Sequence, residues 1–205
     1  MPEEAGPDMR LAPSDIAVVA AGPTLFTVLF YFFIDRLMPG ILVASSTLAL
    51  LSLALEGESL ARASRASASA VAAGAASALD LYALFVAGDA LVGAIGLGGQ
   101  VELIYSLVER SPPVAVALAL VAVFEEVYWR GALQEGVIRR AGAPWWYSAL
   151  AYSASHAASG LLVLVAAALV VGLVLGYTAR RWGIISSSIA HYLWLALVFY
   201  VAPLA

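Results

Sequence analysis

The chain has 205 residues, of which 63% are hydrophobic and only 12% are charged, with a formal net charge of −4 and a mean hydropathy of +0.94. A soluble domain carries about twice that charged fraction, so the composition excludes an ordinary soluble protein. Because the chain has no cysteine, disulfides, thiolate catalysis and thiolate metal ligation are excluded as well.

The apolar stretches predict an all-α, polytopic transmembrane bundle, since each crossing needs roughly 20 apolar residues. We expect residues 1–205 to form a single integral-membrane domain with an N-terminal tail at 1–14 and catalytic helices within 113–200. About seven spans are predicted, with limits of six and eight. They cover 15–35, 40–55, 70–96, 113–138, 144–158, 161–179 and 183–203. The second and fifth are short, which indicates tilted or incomplete crossing.

Two segments between the spans differ in character. The stretch EGESLARASRASASA (56–70) is the clearest polar connection and could form a surface helix before the third span. The segment VELIYSLVER (101–110) keeps its charges at one end and one edge, so we expect it at the membrane interface. Pro112 and Pro113 then suit the first turn of the fourth helix.

The arginines predict an orientation, because cytoplasmic loops collect basic residues. All ten basic residues are arginine. If the spans alternate, only Arg36 and Arg110 lie on one side, and a larger set lies on the other. That larger set is Arg10, Arg62, Arg65, Arg139, Arg140, Arg180 and Arg181. The N-terminus is therefore predicted to be cytoplasmic, and the Ala-, Val-, Leu- and Gly-rich composition favours a bacterial inner (plasma) membrane.

Charged and imidazole side chains inside a bilayer cost about 2.5–3.5 kcal/mol each on insertion scales, so they face partners or water. Glu126 and Arg130 are four residues apart and can pair on one helix face. Glu125 is rotated by about 100° and has no such local partner. The intramembrane candidates are Asp80, Asp89, Glu125, Glu126, Arg130, His156 and His191.

Three of these candidates are predicted to meet at one depth. At about 1.5 Å per helical residue, Glu125, His156 and His191 lie roughly 20, 18 and 13 Å from the cytoplasmic ends of their helices. Three different helices therefore converge on one buried polar site.

The segments FEEVYWRG (124–131), YSASH (152–156) and SIAHYLW (188–194) carry EExxxR, a histidine four residues after an aromatic residue, and a second histidine on a late span. In this pattern the chain resembles the CPBP family, the intramembrane endopeptidases of CAAX prenyl-protein and bacteriocin processing. The resemblance covers roughly 113–200.

The resemblance implies a role for each matching residue. Glu125 would activate the attacking water, and Glu126 with Arg130 would orient it. His156 and His191 would hold the water and stabilise the oxyanion. We expect no metal or other cofactor, although His156 and His191 together with a carboxylate could bind zinc.

Two positions depart from the family pattern. Tyr152 stands where the family usually has Phe, and Leu195 stands where it has Asn. Because the chain contains no Asn, a hydroxyl would have to replace that oxyanion donor, and one such donor is worth about 100- to 1000-fold in rate. The candidates for replacing it are Ser187, Ser188 and Tyr192, and we assign Tyr152, Ser188 and Tyr192 to support of the substrate or oxyanion.

Other active sites fit less well. A rhomboid-like site at Ser159 with His191 leaves EExxxR unexplained. An aspartyl dyad of Asp80 and Asp89 fails because nine helical residues place them on opposite faces and about 13 Å apart.

We therefore expect an endopeptidase that cuts a membrane-anchored protein or peptide. Its substrate could be a leader, a bacteriocin precursor or a C-terminal sorting tail. Its expected partners are that substrate and the lipid bilayer, with no nucleic acid. The alternatives are a catalytically inactive relative acting as a scaffold or immunity protein, and a transporter, for which no internal repeat is present.

Overall fold

The computed structural model describes residues 12–204, and every regular element in that range is helical, which confirms the predicted all-α fold. Arg10 and most of the N-terminal tail lie outside the described residues. The helices are α1 (Pro13–Phe32), α2 (Leu37–Ala63), α3 (Ala68–Ala94), α4 (Gly98–Ser106), α5 (Pro112–Glu126), α6 (Tyr147–Ser155), α7 (Leu162–Trp182) and α8 (Ile184–Ala196). Two π-helical segments, Val127–Ile138 and Leu197–Val201, continue α5 and α8.

Within the described range, six helices are long and apolar enough to cross a membrane, which is the lower limit of the predicted six to eight. The difference from the seven predicted ranges lies in 144–158, where α6 has only nine residues. The backbone still passes between the two ends of the bundle there. Trp145 lies against Gly176 near the end of α7, whereas the Val163 N–H donates to Gln100 of α4. α6 and the 3₁₀ turn Ala157–Ser159 make this passage together.

The polar stretch 56–70 contains the exposed connection between α2 and α3 at 64–67, as its composition predicts, but its first half belongs to α2 and is not a separate surface helix. α2 continues through Glu56 to Ala63 and bends at Glu56, whose φ is −128° and ψ 22°. Glu56 is 5% exposed because Arg140 donates to both of its carboxylate oxygens, at 2.5 and 2.8 Å. Arg140 also donates to Asp15 at the start of α1, at 2.5 Å. The hydrogen bonds to Glu56 raise the pKa of Arg140 above its ordinary value, so this clamp on α1 and α2 stays charged.

A glycine fixes the close approach of α2 to the turn between α7 and α8. Gly183 has a φ of +91°, and a Cβ there would lie 2.6 Å from the carbonyl oxygen of Ala63 and 3.2 Å from Cβ of Arg65. No L-residue with a side chain fits this backbone without strain. The turn therefore holds the ends of α2 and α7 together at the end of the bundle that carries Arg140.

The helix formed by α5 and its π-helical continuation occupies the centre of the bundle. It packs against α1, α2, α6, α7 and α8. Tyr128 and Trp129 are fully buried, and the Tyr128 hydroxyl donates to the Val18 carbonyl and accepts from the Gly22 N–H. Val116, Leu120 and Val123 of α5 are exposed, whereas residues 128–134 and 136–138 of the π-helical segment are all buried. This central position explains why the charges of EExxxR are all buried.

Candidate active site

Glu126, Arg130 and His191 form a buried ionic cluster that joins α5 to α8. The Arg130 Nη1 atom lies 3.2 Å from Glu126 Oε1, and His191 Nδ1 lies 3.0 Å from the same oxygen. All three side chains are at most 3% exposed. The Arg130 guanidinium also lies over the ring of Tyr152, at 4.9 Å from its centroid. The structure therefore confirms the Glu126–Arg130 pair that the spacing predicts.

Glu125 has a different partner from its neighbour. Its Oε2 accepts a hydrogen bond of 2.9 Å from the Tyr152 hydroxyl on α6, and its side chain is 2% exposed. The two adjacent glutamates therefore point to different helices, as their rotation of about 100° requires.

The two histidines are each held through Nδ1. His156 Nδ1 lies 2.8 Å from the Tyr152 carbonyl oxygen, which can only accept, so Nδ1 carries the proton. His191 Nδ1 likewise faces the Glu126 carboxylate. An imidazole whose only proton is on Nδ1 has a free lone pair on Nε2. The rings of Phe26 and Phe30 pack on His156 with centroids 5.3 and 5.2 Å away, which fixes its plane.

One cavity of about 440 Å³ is lined by four of the predicted site residues. Glu125, Tyr152, His156 and His191 all line it, whereas Glu126 and Arg130 lie behind its wall. Most of the remaining wall is apolar, which suits a largely hydrophobic ligand oriented by a few polar groups.

The cavity reaches the outer surface of the bundle between α2 and α3. Met38 and Ile41 line it on one side, and Phe85 and Gly88 line it on the other. α2 packs on α1 and α5, whereas α3 packs on α7 and α8, so the two helices flank the opening. Leu91 of α3 lines the cavity and is also 62% exposed.

The proposed substitutes for the missing amide lie elsewhere. The hydroxyls of Ser187 and Ser188 donate to the Ile184 carbonyl of their own helix, at 3.1 and 2.8 Å. Tyr192 is 40% exposed on the outer surface. None of the three lines the cavity, whereas Tyr152 and Leu195 do.

The sequence patterns do not single out the aromatic and apolar residues that shape the site. Phe26, Phe30 and Phe85 stand in apolar spans, and nothing in their spacing separates a cavity wall from a lipid-facing surface. Asp89, which is not among the predicted site residues, also lines the cavity, whereas Asp80 is exposed. The sequence feature that could have indicated Asp89 is its position as a charged residue within an apolar span.

Within residues 12–204, no group of three or more His, Asp or Glu side chains is arranged to hold a metal ion. The expectation of a site without a metal stays a prediction, with zinc at His156 and His191 as its alternative.

Residues 108–197 match the family model described as Rce1-like, type II CAAX prenyl endopeptidase Rce1-like. This match confirms the resemblance expected from the three motifs and covers all of them. No match to the chain is found among curated proteins or among solved structures.

Proposed function

We propose that this chain, whose residues 108–197 belong to the Rce1-like family of type II CAAX prenyl endopeptidases, hydrolyses a peptide bond of a membrane-anchored substrate with water activated by Glu125. The family is a protease family, so an intramembrane endopeptidase is the coarse assignment that the match supports. The catalytic residue and the substrate class are our own inference.

One observation carries the choice of Glu125. Of the two adjacent glutamates, Glu126 is engaged by Arg130 and His191 behind the wall, whereas Glu125 lies on the cavity with only a neutral hydroxyl as partner. A general base must reach the proton that it abstracts. Glu125 therefore suits work on a bound water, and Glu126 suits a supporting role.

The proposed chemistry uses the groups on the cavity. One hydrogen of the water points to Glu125, and the other is donated to Nε2 of His156 or of His191, so that the water oxygen faces the substrate carbonyl carbon. Glu125 takes one proton of the water as the oxygen forms its bond to that carbon. The tetrahedral oxyanion collapses, the C–N bond breaks, and the proton held by Glu125 passes to the departing amine.

Tyr152 is the proposed donor in this step. Its hydroxyl is on the cavity and close to Glu125, so it can stabilise negative charge on the carboxylate or on the oxyanion. We therefore propose that the Tyr152 hydroxyl, and not Ser188 or Tyr192, replaces the missing amide as the oxyanion donor.

The access route supports a membrane-borne substrate. A cavity with an apolar wall that opens between α2 and α3 can receive an extended hydrophobic segment from the side of the bundle. Water-soluble peptides would gain nothing from such an opening. We therefore propose a substrate whose scissile bond lies next to a membrane anchor.

The test is a cleavage assay in membranes. The wild-type chain, Glu125→Gln and Glu102→Gln are each co-expressed with candidate membrane-anchored proteins, and new termini are identified by mass spectrometry. Glu102 is an exposed residue of α4 that does not line the cavity, so its variant is the matched control. A terminus that appears with wild type and Glu102→Gln but not with Glu125→Gln is expected. The same terminus produced by folded Glu125→Gln would overturn the role of Glu125.

A further inference from the structure

A second cavity, of about 380 Å³, lies at the end of the bundle that carries Arg140 and Gly183. Its wall comes from the connection after α2, the end of the π-helical segment, the connection before α6 and the last turn of α7. The lining residues are Arg65, Gln134, Glu135, Ile138, Arg139, Gly142, Ala143, Trp145 and Arg180. It is separate from the proposed active site and shares no lining residue with it.

The charge on this cavity is positive. Arg65, Arg139 and Arg180 supply three guanidinium groups, and Glu135 is the one acidic residue on the wall. Glu135 pairs with Arg139 at 3.3 Å. Within residues 12–204, neither Arg65 nor Arg180 has an ion-pair partner. Two guanidinium groups are therefore available to an anion at this wall.

Helix dipoles alone do not explain why three arginines line one cavity. A cation in the last turn of a helix is stabilised by the partial negative charge there, which applies to Arg139 and Arg180. That effect acts on each helix by itself and needs no shared cavity. The carbonyls at the end of the π-helical segment are already capped, since Ala141, Gly142 and Ala143 donate their N–H groups to them.

Aromatic residues beside the cavity indicate its expected depth in the membrane. Trp145 lines it, Tyr177 lies 6.3 Å from Trp145 between ring centroids, and Trp182 lies 6.2 Å from Tyr177. Tryptophan and tyrosine favour the headgroup zone of a bilayer. The cavity is therefore at the depth where lipid phosphates lie.

We propose that this cavity binds the phosphate of an anionic lipid headgroup. Arginine binds phosphate through two parallel N–H···O bonds, and the two available guanidinium groups, those of Arg65 and Arg180, come from separate segments that a single phosphate could connect. Trp145 would pack on the glycerol part of the lipid. The site is independent of the protease chemistry and of its substrate.

The experiment measures retention of phosphatidylglycerol by the full chain in detergent, by native mass spectrometry over a lipid titration. Arg65→Gln/Arg180→Gln is compared with Arg62→Gln/Arg181→Gln. Each pair removes two positive charges at the same end of the bundle, but Arg62 and Arg181 do not line the cavity. We expect the first pair to bind at least about tenfold more weakly than wild type, and the second pair to stay close to wild type. Equal loss in both pairs would mean diffuse attraction to the surface and would overturn the proposal.

A cavity-filling variant and a competition with inorganic phosphate test the position of the site and the nature of its ligand. Ala143→Trp fills the cavity without changing any charge, so it should also lower retention, and wild-type retention by this variant would overturn the site. Inorganic phosphate is added as a competitor to the wild-type complex. Displacement only at concentrations far above those of the lipid is expected, whereas displacement at equal concentration would assign the site to free phosphate instead.

Discussion

Tyr152 contacts two proposed catalytic groups through different atoms. Its hydroxyl donates to Glu125 Oε2 at 2.9 Å, and its backbone carbonyl accepts from His156 Nδ1 at 2.8 Å. The side chain thus acts on the carboxylate, while the backbone sets the tautomer of the imidazole. Because the two contacts use separate atoms, a substitution can remove the first and keep the second.

Tyr152→Phe removes only the hydroxyl. The ring would keep its packing against Trp129 and Phe26, at centroid distances of 5.2 and 6.5 Å, and the carbonyl would still hold His156. Losing a hydrogen bond to a charged group costs about 1.5–3 kcal/mol of stability, so we expect a lower Tm, and losing the proposed oxyanion donor should lower kcat by about 100- to 1000-fold. Cleavage rates and thermal unfolding of the two purified proteins check this. Unchanged kcat would show that the hydroxyl takes no part in the reaction.

The Glu126–Arg130 pair is expected to behave as a unit. Glu126→Leu or Arg130→Leu alone leaves a buried charge without its partner, which costs about 3–5 kcal/mol of unfolding free energy. The double variant replaces both charges with apolar groups and should be more stable than either single variant. Unfolding of the four proteins in mixed micelles gives the coupling energy. Simple additivity of the two losses would contradict the pairing.

Spacing rules explain which parts of the site were predictable. Residues four apart on one helix share a face, so the Glu126–Arg130 pair and the separate direction of Glu125 could be derived from the sequence. The convergence of His156 and His191 followed from depth, because rise per residue is nearly constant in helices. The partner of Glu125 did not follow, since it depends on how α6 packs against α5.

The errors have a common physical cause. The polar, Ala- and Ser-rich composition of 56–70 predicted that the whole stretch lies on the surface, but Arg140, distant in the chain, pairs with both Glu56 and Asp15 and buries Glu56. α6 is shorter than a span because the α-helix ends at Ser155 and the 3₁₀ turn Ala157–Ser159 completes the passage. Local hydropathy contains no information on a distant ion pair or on such a change of helix type.

A chelator separates the two proposed ways of activating water. If Glu125 acts without a metal, dialysis of the enzyme against EDTA or phenanthroline should leave its cleavage rate unchanged. If His156 and His191 hold zinc, the rate should fall and return when zinc is added back. The measurement is initial rate on one substrate, with metal content of the same sample determined by elemental analysis. Loss of activity together with loss of bound zinc would overturn the metal-free proposal.

The opening between α2 and α3 can be tested with two glycines of α3. A Cβ at Gly88 or at Gly93 would meet no atom within 4 Å, so a bulky side chain at either position should be tolerated by the fold. Only Gly88 lines the cavity. We expect Gly88→Trp to raise KM or abolish cleavage of a membrane-anchored substrate by obstructing its path, and Gly93→Trp to behave like wild type. Equal activity of the two folded variants would show that the substrate reaches Glu125 by another path.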